Sequence, residues 1–385
     1  MRRVELPQNV VQRALAAGRL GVKWMDELPG LVDDLSVRWG IEVGLPMAGG
    51  SAALVAPAVC HADGTEAVLR IDMPADGTHG EFLRGVRVLG RAEGRGYPRL
   101  LEVEAADRAC LIERLGAPLS SSGLPVDDQI RAICGALTDA WKASPRGLDL
   151  PDTAASVEWH SAFIDAEWEA LGRPCPREVV DRAHEVLEAR RTGWHPAGSV
   201  LLHGDAHAAN TLEDPKRPGS YRLIDPDGGI GDRAEDLGVI MREWPEQYVA
   251  AGGAAGGTAG GAGGGAGGDA GGGAADGAGG GPVAERDRRA ALLADLTGGD
   301  VDAIRDWGYI QTVSTAFVLL RIGGVGVGLA DAGAGGGAGV GAGGGARVGA
   351  GVGASGTTGS SGRTSTVQVK IARTMLDVAS AWASA

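Results

Sequence analysis

The chain predicts an α+β protein of two lobes, a small antiparallel β-sheet lobe followed by a larger, mainly helical lobe. Three observations predict it. After a helical start, short strand patterns joined by tight turns, with one internal helix, run to about residue 115, as at Glu66-Ala-Val-Leu-Arg-Ile71, where apolar and polar residues alternate. From about residue 126 the apolar residues recur at helical spacing instead. One strand–loop–strand at residues 201–227 interrupts those helices. With 385 residues the chain is long enough for two domains, expected at 1–115 and 116–385.

The elements follow in order. Residues 8–39 are helical in pattern, with Leu28, Leu31, Leu35 and Trp39 at helical spacing and Pro29 expected near a helix start. Ile41–Gly44 and the apolar run from Ala52 precede the turn Ala62-Asp63-Gly64, a hairpin signal leading into Glu66–Ile71. Glu81 opens a helix with Phe82, Val86 and Leu89 on one face. Leu100–Glu104 and Cys110–Glu113 form a second hairpin around Ala106-Asp107-Arg108. Three apolar stripes then mark three helices: Ile130, Ile133, Cys134, Leu137 and Trp141; Val157, Ile164, Trp168 and Leu171; Val179, Ala183, Val186 and Leu187. Further helices are expected at Asp232–Trp244, Ala284–Leu296, Val301–Leu320 and Thr364–Trp382.

Composition narrows the function classes. A formal charge of −13 argues against nucleic acid and suits a cationic small-molecule partner. Cys60, Cys110, Cys134 and Cys175 show no metal or redox spacing and read as small apolar residues in a reducing compartment. The start, Met1-Arg-Arg-Val-Glu-Leu-Pro, lacks the apolar stretch of a signal peptide, and no apolar run is long enough to span a bilayer. A cytoplasmic protein without a membrane partner is expected. Of 67 glycines, 18 fall in residues 251–282 and 15 in residues 332–362. These Gly/Ala tracts hold too little apolar bulk for a core, and they read as flexible insertions in surface loops.

The chemistry gathers in Leu201-Leu-His-Gly-Asp-Ala-His-Ala-Ala-Asn210 and Leu223-Ile-Asp-Pro-Asp227. Here His203-x-Asp205-x-x-x-x-Asn210 is followed by Asp225 fifteen residues later. Protein kinases place a catalytic Asp, a Mg²⁺-binding Asn and a second Mg²⁺-binding Asp in this order and at similar spacing. Phosphoryl transfer needs a carboxylate within hydrogen-bond reach of the attacking hydroxyl, a role for Asp205. It also needs hard oxygen ligands for Mg²⁺, a role for Asn210 and Asp225.

On these residues the chain resembles the aminoglycoside phosphotransferases, and within them the streptomycin 6-phosphotransferase and hydroxyurea-kinase family. The match is carried further by Trp39-Gly-Ile, Gly49-Gly-Ser51, Ala67-Val-Leu-Arg-Ile71, Leu111-Ile-Glu-Arg-Leu115 and Leu223-Ile-Asp-Pro-Asp-Gly-Gly-Ile-Gly-Asp232 running into Ala234-Glu-Asp-Leu237. The resemblance implies a bilobal protein-kinase-like fold, ATP as phosphoryl donor, Mg²⁺ and a small-molecule hydroxyl acceptor. It implies Asp205 as the base, Asn210 and Asp225 as metal ligands, and His203 as a brace of the catalytic loop. Gly49, Gly50 and Ser51 would cover the phosphates, the backbone of Glu113 to Leu115 would meet adenine, and Asp232 would cap the helix after it.

One departure matters. The family carries Lys on the third strand, paired with a helix Glu; here the position is Arg70, with Glu81 as the expected partner. Arg binds phosphate through a planar fork aimed differently from an ammonium. A kinase-like protein that binds nucleotide without efficient turnover is therefore an alternative, as is a kinase for a metabolic hydroxyl compound. A metallohydrolase built on His203-x-Asp205-x-His207 is a third reading, one that leaves Asn210 without a role. Glu158, Asp165, Glu167, Glu243 and Glu246 lie in segments able to line an acidic acceptor cleft, and none is singled out.

Overall fold

Two helices lead the chain, α1 (Gln8–Ala16) and α2 (Arg19–Trp39), in a computed structural model that describes residues 4–47, 52–74, 78–253, 281–324 and 361–385. Trp24, Leu28, Val32 and Leu35 form the buried stripe of α2, and Gly40 closes the helix in the left-handed conformation. Pro29 lies inside α2 rather than near its start. Proline lacks one N–H donor, and the long apolar stripe on either side holds the helix through it.

Strands β1 (Ile41–Val43), β2 (Ala53–Cys60), β3 (Glu66–Asp72), β4 (Leu100–Glu104) and β5 (Ala109–Glu113) make one antiparallel sheet in the order β1-β2-β3-β5-β4. The β2–β3 hairpin turns where expected. The Thr65 N–H donates to Asp63 Oδ1, and Gly64 takes φ +71°. Leu54, Leu69, Ile71 and Leu111 pack from the sheet into one core with Leu28 and Leu35 of α2. Each such side chain contributes about 1.5–3 kcal/mol on burial. Helix α3 (Thr78–Ala92) lies between β3 and β4 in sequence and buries Phe82, Val88 and Leu89. Val86, expected on that face, is half-buried.

After the sheet come α4 (Val126–Ala140), α5 (Thr153–Ala170) and α6 (Arg177–Gly193). Next are the short strands β6 (Val200–Leu202), β7 (Thr211–Glu213), β8 (Tyr221–Leu223) and β9 (Gly229–Gly231). Helices α7 (Arg233–Arg242), α8 (Pro245–Gly253), α9 (Pro282–Thr297), α10 (Val301–Gly324) and α11 (Ser361–Ala383) complete the order. The sequence pattern missed α8, whose Ala-Ala-Gly-Gly end reads as tract rather than helix. The expected insertions lie largely outside the described residues. Their edges are helical, because Gly253 ends α8, Pro282 begins α9 and Ser361 begins α11.

By packing, the described residues group into two units. One joins the residues up to Trp159 with Trp194–Asp236, so the sheet and the strand–loop–strand share it. The other joins His160–Gly193 with the described residues from Leu237 onward, and in it α10 packs on α6, α9 and α11. No described helix is long and apolar enough to cross a membrane.

Candidate active site

The site is set by two small ribbons. β6 pairs antiparallel with β9, Leu201 opposite Ile230, and β7 pairs with β8, Thr211 opposite Leu223. The loop leaving β6 carries His203, Asp205 and Asn210, and the loop leaving β8 carries Asp225 and Asp227. Main-chain bonds knit the loops together. Asp227 N–H donates to the His203 carbonyl at 2.8 Å and Ile224 N–H to the Asn210 carbonyl at 2.8 Å. Gly204 sits between them at φ +90°, where an added Cβ would stand 3.0 Å from the Asp227 Cβ. The conformation calls for glycine, and the contact leaves little room for more.

Asp205 is 4% exposed, and its carboxylate is held from two sides. Asn210 Nδ2 donates to its main-chain oxygen at 3.1 Å and reaches Oδ2 at 3.4 Å. His207 Nε2 lies 3.3 Å from the same Oδ2. Because His207 Nδ1 accepts the Ala209 N–H, the ring proton sits on Nε2 and points at Asp205. Sequence reasoning gave His207 no part in this grip.

His203 is fully buried and braces the loop through both ring nitrogens. Nδ1 accepts the Asp205 N–H at 3.0 Å, and Nε2 donates to the Ile224 carbonyl at 2.9 Å. Burial holds its imidazole below the ordinary range, so the ring is neutral. Tyr97 stacks on it, with ring centroids 5.8 Å apart. With both His203 nitrogens bonded to the main chain, and those of His207 to the Ala209 N–H and the Asp205 carboxylate, the His-x-Asp-x-His reading as a metallohydrolase finds its histidines already engaged.

The anchor beneath the loop is Asp236 on α7, which sequence reasoning passed over. Its carboxylate accepts His203 N–H at 3.1 Å, Gly204 N–H at 2.7 Å and Trp141 Nε1–H at 2.9 Å. Asp232 caps α7, with Oδ1 accepting the Ala234 N–H at 2.9 Å.

Asp225 adopts φ +59°, a left-handed conformation that Asp tolerates better than most residues, and its side chain is exposed. Its carboxylate meets the Arg70 guanidinium. Arg70 and Asp225 line an open cleft together with Asp72, Glu81, Phe82 and Cys110. Glu81 faces that cleft, but Arg70 forms its ion pairs with Asp72 and Asp225. Cys110 is chemically quiet there, since burial pushes its thiol up to about 12.

The remaining expected nucleotide residues divide. Gly49, Gly50 and Ser51 lie outside the described residues. Glu113 is 5% exposed, and its N–H already donates to the Arg99 carbonyl at 2.9 Å. Its carboxylate pairs with Lys216 and, at 2.7 Å, with Arg222, which is also bound to Asp214. Burial alone would raise the Glu113 carboxyl, but these two cations hold it below the ordinary glutamate range. Glu113 thus ties β5 to the β7–β8 ribbon, and Leu115 follows it half-buried.

A second cleft opens beside Gly204 and is lined by Arg84, Asp152, Ser156, Trp159, Asp227 and Glu235, among others. Its carboxylates are not those the sequence suggested for an acceptor. Glu167 is buried and paired with Arg321, and Asp165 is bonded to His184. Burial, opposed by the Thr153 hydroxyl, raises Glu235 to about 8. The unfolded chain ionises this residue near 4.5, so between these values folding retains a proton that unfolding releases. Stability from this residue is whole below the lower value and is lost as pH rises through the upper one. Glu235→Gln is expected to flatten that decline by on the order of a few kcal/mol. Thermal melts at intervals across the window check it, and an unchanged slope counts against the assignment.

The comparisons with known proteins agree with this geometry. A family described as aminoglycoside/hydroxyurea antibiotic resistance kinase matches residues 38–256. A hydroxyurea phosphotransferase of Kitasatospora aureofaciens is 33% identical over 245 residues, covering 61% of this chain and 67% of that protein. A streptomycin 6-kinase of Streptomyces glaucescens is 31% identical over 247 residues, covering 63% and 74%. Among solved structures, a thermostable variant of the aminoglycoside phosphotransferase APH(4)-Ia, in ternary complex with AMP-PNP and hygromycin B, aligns with a TM-score of 0.50. That alignment is 14% identical and covers 90% of this chain and 97% of that one, a likeness of fold alone. The chain therefore has the protein-kinase-like fold and belongs to the aminoglycoside/hydroxyurea antibiotic resistance kinase family, whose members are phosphotransferases.

Proposed function

We propose that the protein transfers the γ-phosphoryl group of ATP to a hydroxyl of a small-molecule antibiotic. A streptomycin-type aminoglycoside is the first acceptor class and hydroxyurea the second. Residues 1–115 form the nucleotide lobe in this reading, and residues 116–385 carry catalysis and acceptor binding. The observation that carries it is Asp205, a buried carboxylate gripped by Asn210 and His207 on a loop laced to the one bearing Asp225.

Asp205 orients the acceptor hydroxyl and accepts its proton as the hydroxyl attacks phosphorus in line. Arg70 donates to phosphate oxygens across the cleft it shares with Asp225. His203 and Asp236 hold the Asp205 backbone in place, so little reorganisation is left to the moment of transfer. Asn210 and Asp225 would hold Mg²⁺. Their hard oxygen donors fit it, and the Arg70 guanidinium against Asp225 marks that carboxylate as a seat for positive charge. When bound, the ion supplies charge neutralisation at the phosphates. Asp152 and Asp227 around the second cleft, against the cation Arg84, favour a cationic acceptor over neutral hydroxyurea, while Glu235, raised by burial, adds little charge there at neutral pH.

The test is ADP release from Mg-ATP by purified protein with streptomycin, with hydroxyurea and with no acceptor. Acceptor-dependent release with streptomycin is expected. Nucleotide binding without release in any arm would favour the alternative of a kinase-like binder or of a metabolic acceptor.

A further inference from the structure

Side chains two residues apart on a strand project from the same face. Arg70 and Asp72 occupy such positions on β3, and their contact is two-pronged. Arg70 Nε lies 2.6 Å from Asp72 Oδ1 and Nη2 lies 3.2 Å from Oδ2. Asp72 is 6% exposed, and its own N–H donates to the Arg108 carbonyl at 3.0 Å, which fixes the strand end that presents it. The third arm, Nη1, is the one that reaches Asp225. One edge of the guanidinium is thus clamped within its own strand, and the other is aimed across the cleft.

An ammonium divides itself less sharply. Its three donors share one point at the end of a flexible stem, with no rigid second edge to hold one acceptor while aiming at another. The Arg at position 70 and the Asp at position 72 therefore work as one unit.

We propose that Asp72 is the positioning residue for Arg70, holding the Nε–Nη2 edge so that Nη1 addresses the nucleotide phosphates beside Asp225. The inference rests on the phosphoryl-transfer reading of this cleft. It has a consequence that opposes intuition from family resemblance. Arg70→Lys, which restores the residue usual in the family, places an ammonium beside Asp72 and loses nucleotide affinity.

The experiment is a double-mutant cycle of Asp72→Asn and Arg70→Lys. It is read by the KM for ATP, by kcat, and by calorimetric binding of ADP without metal. Asp72→Asn alone is expected to raise the KM for ATP and weaken ADP binding about tenfold, with kcat within about threefold. In the Arg70→Lys background, Asp72→Asn should add no further loss, because Asp72 there draws the ammonium toward itself instead of aiming it at phosphate. Asp72→Glu, which keeps the charge at a longer reach, should fall between wild type and Asp72→Asn, and it reads the same contact if Asp72→Asn fails to fold. Equal losses from Asp72→Asn in both backgrounds, or nucleotide affinity unmoved by it, would overturn the proposal while leaving the cleft assignment standing. A wild-type protein that binds no adenine nucleotide would overturn both.

Discussion

Asp205→Asn is expected to lower kcat by a factor of about 10²–10⁴ while nucleotide affinity stays near wild type. The substitution is nearly isosteric. The site is 4% exposed, so the change is confined to what the oxygens do. Asn210 Nδ2 and His207 Nε2 both approach the same oxygen, Oδ2, so an amide oxygen placed there keeps that grip. What the amide cannot do is accept a proton from the attacking hydroxyl. The backbone of the loop is held by His203 and Asp236 rather than by the Asp205 side chain, so folding should survive. Single-turnover transfer and ADP binding, measured on the same preparation, separate the two effects. Turnover within a few-fold of wild type would remove Asp205 from the role of base, and loss of nucleotide binding would recast it as a structural residue.

Local patterns made much of this legible from sequence. The hairpin at Asp63-Gly64, the alternation along β3 and the stripes of α4 and α6 each lie within a dozen residues, where periodicity decides the element. The His203, Asp205, Asn210 and Asp225 constellation was readable because its spacing is local too. What escaped depends on partners far apart in the chain. Asp236 meets His203 from 33 residues away and Trp141 from 95, distances at which no spacing rule operates. His207 was visible beside Asp205, but only the N-cap bond from Ala209 fixes which nitrogen faces the carboxylate. The Arg70–Asp72 pair was hidden differently. The strand pattern put both on one face, but expectation placed the partner of the cation on α3. Glu113 looked like a hinge residue, and its fixed place comes from Lys216 and Arg222, more than a hundred residues later.

Asp236→Ala is expected to destabilise the fold by about 3–5 kcal/mol and to abolish detectable transfer. Asp236 is fully buried, and its two oxygens accept three donors. Truncation leaves the His203 and Gly204 N–H groups and the Trp141 indole N–H without an acceptor in a site that water enters poorly. Each orphaned donor costs about 1–3 kcal/mol. Two of the three belong to the turn that aims Asp205, so the damage reaches activity as well as stability. Trp141→Phe separates these effects. It removes the one donor that does not belong to the loop, and the His203 and Gly204 bonds remain. Its variant should lose stability through the missing indole contact yet keep kcat near wild type among the molecules that stay folded. Chemical denaturation together with kcat at a temperature well below each midpoint provides the comparison. If both variants lost kcat in proportion to stability, Asp236 would be an ordinary core anchor. If Asp236→Ala lost kcat far beyond its stability change while Trp141→Phe did not, the carboxylate is what pre-sets the catalytic turn.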